Sequence, residues 1–396
     1  MRRTYMDANA TTPMLPEVFE AMRPYFLEQF GNASSIHQQG QAARAAVDHA
    51  RESVARLLGC RSSEIVFTSG GTESDNLALF GTLSAGDHLV TSTIEHHAVL
   101  HAAEALEKRG VAVTYLPCTA SGIIEPSTLE AALRPETKLV SIMLANNETG
   151  TIQPIAELAR ITKAHAKSTL FHTDAVQGAG KLPIDLAPSG ALHDVDLLSI
   201  AGHKMYAPQG TGVLFVRRSV RLSPLFHGGT HERQRRAGTE NLPGIVALGR
   251  AAELARGWLL DDGPAELTAL RDRLEQGILR AVPESGVNGQ GTDRTANTSN
   301  LYFDHVEAEA LVIALDLKGL SVSGGSACQS GATEPSHVLT AMGLSPARAR
   351  ASVRFSLSRL STAEDVDFAL SLVPEAVARL RTLSPTWAAS RILTTV

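Results

Sequence analysis

The chain has 396 residues, too many for one hydrophobic core, so two domains are expected. Its 43% hydrophobic and 19% charged content is that of a globular protein, and a net charge of -5 gives no reason to expect nucleic acid or an anionic membrane as partner. No apolar run is long enough to span a bilayer, and the start Met1-Arg-Arg-Thr-Tyr5 lacks the apolar centre of a signal peptide, which points to the cytoplasm. Cys60, Cys118 and Cys328 are far apart and form no CxxC pair, so neither a disulfide framework nor a structural metal site is expected.

Tyr5 to Pro13 is short, polar and rich in turn formers. Pro16 to Phe30 reads as a helix, Gly31 to His37 as a loop, and Ala42 to Leu58 as a helix closed by Gly59. Glu64 to Thr68 reads as a strand that runs into Ser69-Gly70-Gly71-Thr72-Glu73-Ser74, with a helix from Asp75 to Gly81. Glycines at a strand-to-helix turn, with a hydroxyl beside the first helical amides, make a seat for a phosphate. The turn is neither a P-loop nor a GxGxxG, and a tight turn with a helix cap is the plainer account of the same residues.

The next strand, His88 to Ser92, ends at Glu95-His96-His97 and a helix to Arg109. Adjacent histidines project in different directions, so at most one is expected to face a site. Strands Val111 to Leu116 and Lys138 to Leu144 follow, the second ending in Asn146-Asn147-Glu148-Thr149-Gly150. A helix from Pro154 to Ala166 precedes the strand Thr169 to His172, which leads to Asp174-Ala-Val-Gln177.

Val195 to Ile200 is an apolar run with one early aspartate and reads as a buried strand. The chain then turns through Ala201 and Gly202 and presents His203 and Lys204, before Pro208 and Gly210 break any regular element. A lysine at a strand end can form a Schiff base with a carbonyl cofactor when its surroundings lower its pKa. Taken alone it is more simply a surface lysine. Strand, turn and helix alternate from about residue 64 to 216, which predicts an α/β fold with a mostly parallel sheet and helices on both faces. In such a sheet the polar strand ends Thr72, His96, Asn147, Asp174, Gln177, His203 and Lys204 share one crevice. Asp174 is the telling partner of Lys204. A pyridoxal ring needs a lysine at its aldehyde and a carboxylate at its ring nitrogen.

The segment Phe226 to Asn241 is a long polar loop crowded with arginine, and a loop of that length usually has an assigned job or a partner. Leu242 to Leu260 is helical, and Asp261 to Pro264 is a candidate hinge. The remainder reads as a smaller α+β domain, with helices Ala265 to Ala281, Val306 to Leu317 and Thr362 to about Arg381, and strands Ser299 to Phe303 and Ser352 to Ser356. The expected division is 14–260 for the large domain and 1–13 with 261–396 for the small one. The small domain contains a mobile Gly/Ser-rich loop, 321–335, with Cys328 near its middle. A cysteine exposed on such a loop is expected to be reactive.

With these residues in view, the chain resembles the cysteine desulfurases of the NifS/IscS type, within the class V aminotransferases. The resemblance rests on Thr68-Ser-Gly-Gly-Thr-Glu-Ser-Asp-Asn76, Ala145-Asn-Asn-Glu-Thr-Gly150, Arg236-Ala-Gly-Thr-Glu-Asn241 and Gly325-Ser-Ala-Cys-Gln-Ser-Gly331, in that order, with Glu334-Pro-Ser-His-Val-Leu339 after them. It implies a fold type I pyridoxal-phosphate enzyme that converts L-cysteine to L-alanine and leaves a persulfide on Cys328. That sulfur would go on to an iron–sulfur scaffold or another acceptor protein. It further implies that Lys204 carries the cofactor and moves the Cα proton, that Asp174 pairs with the ring nitrogen, and that Gln177 bonds the phenolic oxygen. His96 would stack on the ring and serve in acid–base steps. Gly71, Thr72 and His203 would seat the phosphate, joined by Thr239 from the second subunit of a homodimer. Asn147 and Arg354 would hold the substrate carboxylate. The chain departs from the pattern at Ala201, where relatives often carry a serine that adds a phosphate contact. An aminotransferase or a selenocysteine lyase on the same fold is one rival reading, and a catalytically silent protein of that fold, acting as a sulfur-assembly partner or regulator, is the other.

Overall fold

A computed structural model describes residues 2–324 and 335–388. Seven strands form the main sheet, in spatial order Ile65–Thr68, Gly212–Val216, Leu197–Ala201, Leu170–Asp174, Thr137–Ser141, His88–Ser92 and Ala112–Leu116. Neighbours run parallel, except that Gly212–Val216 is antiparallel to both of the strands beside it. Parallel neighbours need crossovers, and the helices His97–Glu107 and Ile155–His165 supply two of them, while Gly71–Phe80 links the edge strand Ile65–Thr68 to His88–Ser92.

Both faces of the sheet are covered. Along Leu197–Ala201, Leu198 and Ile200 join the core under the helices Gln38–Leu58 and Leu242–Leu260. Leu197 points the other way, into the core under Gly71–Phe80 and His97–Glu107. A strand buried on both sides reads as a continuous apolar run, and each buried leucine contributes ~2 kcal/mol. The helices Gln38–Leu58 and Leu242–Leu260 close in where Gly249 faces Ala50. A Cβ on Gly249 would lie 2.6 Å from the Ala50 Cα, so only glycine permits the approach.

Several boundaries differ from the sequence reading. The helix expected over Pro16 to Phe30 is two short ones, Pro16–Met22 and Pro24–Leu27, because Pro24 cannot donate the bond that would carry the first helix onward. The helix expected to start at Asp75 begins at Gly71, which brings Gly71 and Thr72 into its first turn. The helix before Gly59 starts earlier, at Gln38, where the His37 side chain accepts from the Gly40 N–H. Between Leu242–Leu260 and the next helix, Gly263–Ala281, only Asp261 and Asp262 intervene.

A second, antiparallel sheet has the order Ser323–Gly324, Ser352–Ser356, Thr298–Phe303 and Ser285–Val287. Its core draws on Met6, Leu274, Ile278, Leu301, Phe303, Val353 and Val373. Val338, Leu339, Met342 and Ala349 pack instead in the core of the main sheet, although they are late in sequence. The N-terminal strand Thr4–Tyr5 pairs in parallel with Leu320–Ser321. Among the described residues no helix is long and apolar enough to cross a membrane.

The arginine-rich loop is tied to the sheet by a buried ion pair. Arg51 donates from Nη1 and Nη2 to the two carboxylate oxygens of Glu232, at 2.8 and 2.6 Å. Glu232 also accepts from the Phe67 N–H, and Arg51 Nη1 donates to the Ile65 carbonyl. Glu232, Arg233 and Gln234 all hold positive φ, a run that ordinary side chains avoid, and the ion pair anchors it. Glu232→Ala strands a buried guanidinium and is expected to cost about 3–5 kcal/mol, measured by urea denaturation. A loss under about 1 kcal/mol would mean that the loop is held by something else.

Candidate active site

The C-terminal ends of the main-sheet strands open into a cavity of about 320 Å³. Thr72, His96, Asn147, Asp174, Gln177, His203 and Lys204, gathered in the sequence from separate strand ends, all line it. Gly71, Ala201 and Arg354 line it too.

Lys204 follows the strand Leu197–Ala201 in a single helical turn, Gly202–Lys204. Its Nζ donates to the backbone carbonyls of Asn9 and Ala10, 2.6 Å from each. Asp174 ends the adjacent strand, and its Oδ1 accepts from the Val176 N–H at 2.8 Å. It caps no helix; the chain after it is a series of turns. Burial holds the Asp174 carboxyl above the usual carboxylate range, opposed by the Val176 N–H and by Lys204. A cationic nitrogen placed in the cavity beside it would draw that pKa back down.

Gly71 and Thr72 open the helix Gly71–Phe80 at the cavity wall, where its first N–H groups suit an anion. A Cβ on Gly71 would lie 2.6 Å from the Val176 Cγ2, so glycine lets the Asp174 turn pack against this helix start. A primary amine, a buried carboxylate and an anion seat around one cavity are the donor set that a phosphorylated pyridine aldehyde requires, so the residues fit such a group.

His96 caps the helix His97–Glu107, its Nδ1 accepting from the Ala98 N–H at 3.1 Å. That bond leaves the ring proton on Nε2. Burial, then Lys204, lowers the His96 pKa to about 4, so the ring is neutral. The same two causes lower His203 to about 4, and its Nδ1 lies 3.1 Å from Thr11 Oγ1. The expectation that only one of the paired histidines would face a site is corrected. His97 also lines the cavity, because the first turn of its helix starts at the cavity rim. Its ring packs against those of His101 and His337, with centroids 4.9 and 4.8 Å apart. Among the described residues no His/Cys/Asp/Glu group is arranged to hold a metal ion.

Arg354, on the strand Ser352–Ser356, is buried and held from two sides. Nη1 donates to the Asn147 carbonyl at 2.9 Å and Nη2 to Asp7 Oδ1 at 2.8 Å. Its Nε has no hydrogen-bond partner among the described residues. Thr239 is elsewhere in its own chain, exposed and lining a neighbouring cavity with Ser69, Gly210 and Glu240. Cys328 lies outside the described residues. The chain on both sides of its loop is at the cavity, however. Ser323 pairs with Arg354, while Ser336 donates to Glu148 at 2.6 Å and His337 Nε2 donates to the Glu95 carbonyl at 3.0 Å.

Sequence reasoning missed several cavity residues. Asn9 and Ala10 sit in the polar N-terminal stretch, where nothing local marks them as partners of Lys204. Asp75 lines the cavity from the same helix as Thr72, and its Oδ1 lies 3.6 Å from His172 Nε2. Burial, with Asp174 nearby, holds Asp75 well above the usual carboxylate range. The only hint of Asp75 was its place in the Thr68–Asn76 segment.

The fold and the site together define a lysine-centred α/β enzyme of the aminotransferase kind. The family model described as Aminotransferase class-V matches residues 4–368, and the chain belongs to that family. A protein of Methanosarcina thermophila named cysteine desulfurase IscS is 49% identical over 388 residues, covering 97% of this chain and 94% of the relative. A cysteine desulfurase of Gluconacetobacter diazotrophicus is 48% identical over 392 residues, covering 98% and 96%. Among solved structures, one described as a NifS-like protein superposes with a TM-score of 0.87 at 36% identity, covering 95% of this chain and 99% of its own. Another, described as SspA in complex with cysteine, reaches 0.79 at 37% identity, covering 90% and 99%.

Glu95, directly behind His96, gives a pH test. Its Oε1 accepts from Ser92 Oγ and the Met143 N–H, and its Oε2 has no partner among the described residues. Burial raises its pKa from 4.5 to about 8; those two hydrogen bonds only partly offset this, and Asp174 adds to it. A group that binds its proton more tightly in the fold stabilises it at low pH. That contribution fades as pH rises from 4.5 through about 8. Glu95→Gln cannot ionise, so its Tm is expected to fall less than that of the native chain between about pH 5 and pH 9. Equal falls would show that Glu95 keeps one charge state throughout.

Proposed function

We propose that the chain is a cysteine desulfurase that uses pyridoxal phosphate, held in the Lys204 cavity, to take sulfur from L-cysteine and release L-alanine. The observation that carries this reading is the opening of Lys204 and Asp174, at the ends of adjacent strands, into one cavity with an anion seat beside them. The names of the relatives support the reaction, and the likeness to a structure described as a cysteine complex supports the substrate.

Bound there, the cofactor would supply an aldehyde for the substrate amine and a protonated ring able to take up carbanion charge. Asp174 would hold the ring nitrogen by charge, and the Gln177 amide would donate to the phenolic oxygen. The amides of Gly71 and Thr72, the Thr72 hydroxyl and the neutral His203 ring would hold the phosphate. Lys204 Nζ removes the substrate Cα proton and returns a proton afterwards. His96, neutral and with its proton on Nε2, would stack on the ring and assist that transfer. Arg354 and Asn147 orient the substrate carboxylate, the guanidinium being set in place by Asp7.

The Cys328 thiolate then attacks the substrate sulfur. The C–S bond breaks with its electron pair left on carbon, which takes a proton, and the sulfur remains on Cys328 as a persulfide. Cys328 lies in sequence between Ser323, which pairs with the cavity residue Arg354, and His337, which lines the cavity, and this supports the role given to its thiol. An acceptor protein, such as an iron–sulfur scaffold, then takes the sulfur. In this reading the enzyme is a cytoplasmic homodimer, and Thr239 reaches the phosphate held by the second copy.

The test is the L-cysteine reaction of the pyridoxal-phosphate-loaded protein, with alanine and persulfide both quantified. In a single turnover the native chain is expected to form them in equal amounts. Lys204→Ala should form neither, and Cys328→Ser should lose the persulfide and at least about 99% of turnover. Undiminished alanine formation by Cys328→Ser would point to a reaction that does not need this thiol.

A second expectation concerns Ala201, which lines the cavity where relatives often have serine. Ala201→Ser adds a hydroxyl, and one net hydrogen bond of about 1 kcal/mol corresponds to about fivefold slower cofactor loss during dialysis. Unchanged loss would show that the phosphate lies out of reach of this position.

A further inference from the structure

Behind the cavity a second lysine is buried. Lys181 makes no ion pair among the described residues, and its Nζ donates to two neutral oxygens, Gln177 Oε1 at 2.8 Å and Asn9 Oδ1 at 3.2 Å. Burial, with the positive charges of Lys204, Arg354 and Arg359 around it, holds the amine well below the usual lysine range. A buried lysine without a carboxylate is costly, so its place calls for a reason beyond packing.

Its effect falls on Gln177. That amide is engaged at both ends: Oε1 accepts from Lys181, and Nε2 donates to the Asn9 backbone carbonyl at 3.0 Å. The same carbonyl accepts from Lys204 Nζ at 2.6 Å. An amide nitrogen carries two protons, so one remains for the cavity that Gln177 lines. The reverse orientation would set Oε1 against the Asn9 carbonyl, acceptor against acceptor. Asn9 itself is locked from the far side, its Oδ1 accepting also from Asn297 and its Nδ2 donating to Thr298 and to the Asn147 carbonyl.

We propose that Lys181 is a positioning residue: by holding Oε1 of Gln177, together with Asn9, it presents the Gln177 N–H to the phenolic oxygen of a pyridoxal ring in the cavity. This rests on the cofactor reading above. An N–H donated to that oxygen stabilises its ionised form. The proton that the oxygen shares with the nitrogen beside it is therefore released at lower pH than it would be without Gln177. Loss of the Lys181 amine frees the Gln177 amide to turn, and the N–H is withdrawn.

The experiment is a pH titration of the visible absorbance of the loaded protein. In Lys181→Met the colour transition is expected to move to higher pH by on the order of half a pH unit. Gln177→Leu should move it in the same direction, and the double variant should move it no further than Gln177→Leu alone. A Lys181→Met transition at the native pH, or shifts that add in the double variant, would overturn the proposal. Should Lys181→Met fail to fold, Lys181→Gln keeps an N–H donor for Oε1. It is expected to titrate closer to the native chain than Gln177→Leu does, and a shift as large as that of Gln177→Leu would count against the proposal. If the native chain itself shows no titrating visible band with pyridoxal phosphate, the cofactor reading fails. If the band titrates and Lys181→Met leaves it unmoved, only the role of Lys181 fails.

Discussion

The N-terminal stretch from Asp7 to Thr12 runs past the C-terminal ends of the main-sheet strands and meets the basic groups gathered there. Asp7 takes Arg354, the carbonyls of Asn9 and Ala10 take Lys204, and the Asn9 side chain takes Lys181. Thr11 meets the His203 ring, and Thr12 donates to the His203 carbonyl. Charge taken out of water costs several kcal/mol unless it is paired or hydrogen-bonded, so these groups can stay at the cavity only while that stretch lies across them. The stretch is itself fixed on the second sheet, through Ala8 and Asn9 bonding to Ser356. One chain segment therefore joins the second core to the site on the first.

Burial around the cavity shifts its ionisable acids and histidines toward their neutral forms. Burial lifts Asp75, Glu95, Glu148 and Asp174, and it lowers His96, His172 and His203. His172 shows how this is arranged without stranding polar atoms: Nδ1 lies 2.8 Å from Ser141 Oγ, and Nε2 lies 3.0 Å from Ser199 Oγ. In a buried site a bound ionic group weighs heavily in the local balance. In the proposed reaction that group would be the cofactor ring, and the acids and bases around it, their pKa values shifted by burial, would respond to its charge.

The strand ends were legible because their signals are local. An apolar run followed by glycine or a polar turn marks where a buried strand stops, as at Thr68, Ser92 and Ile200, and strand ends in a parallel sheet share an edge. The mostly parallel α/β fold with helices on both faces follows from the same alternation, and the chain shows it. The Cys328 segment is different. Its composition suggested reactivity, yet only Ser323, Ser336 and His337 on either side of it can be related to the cavity.

The amino-acid sequence by itself determined the sheet, the family, and which strand ends carry Lys204, Asp174, His96 and Asn147, since periodicity and turn residues act over a few positions along the chain. The tertiary structure alone decided that Asn9 and Ala10 hold Lys204, that Lys181 grips Gln177, that His97 shares the cavity with His96, and that Glu232 is buried against Arg51. The physical reason is desolvation. A polar group taken from water must find a partner wherever the fold brings one, and here those partners are often more than a hundred residues away.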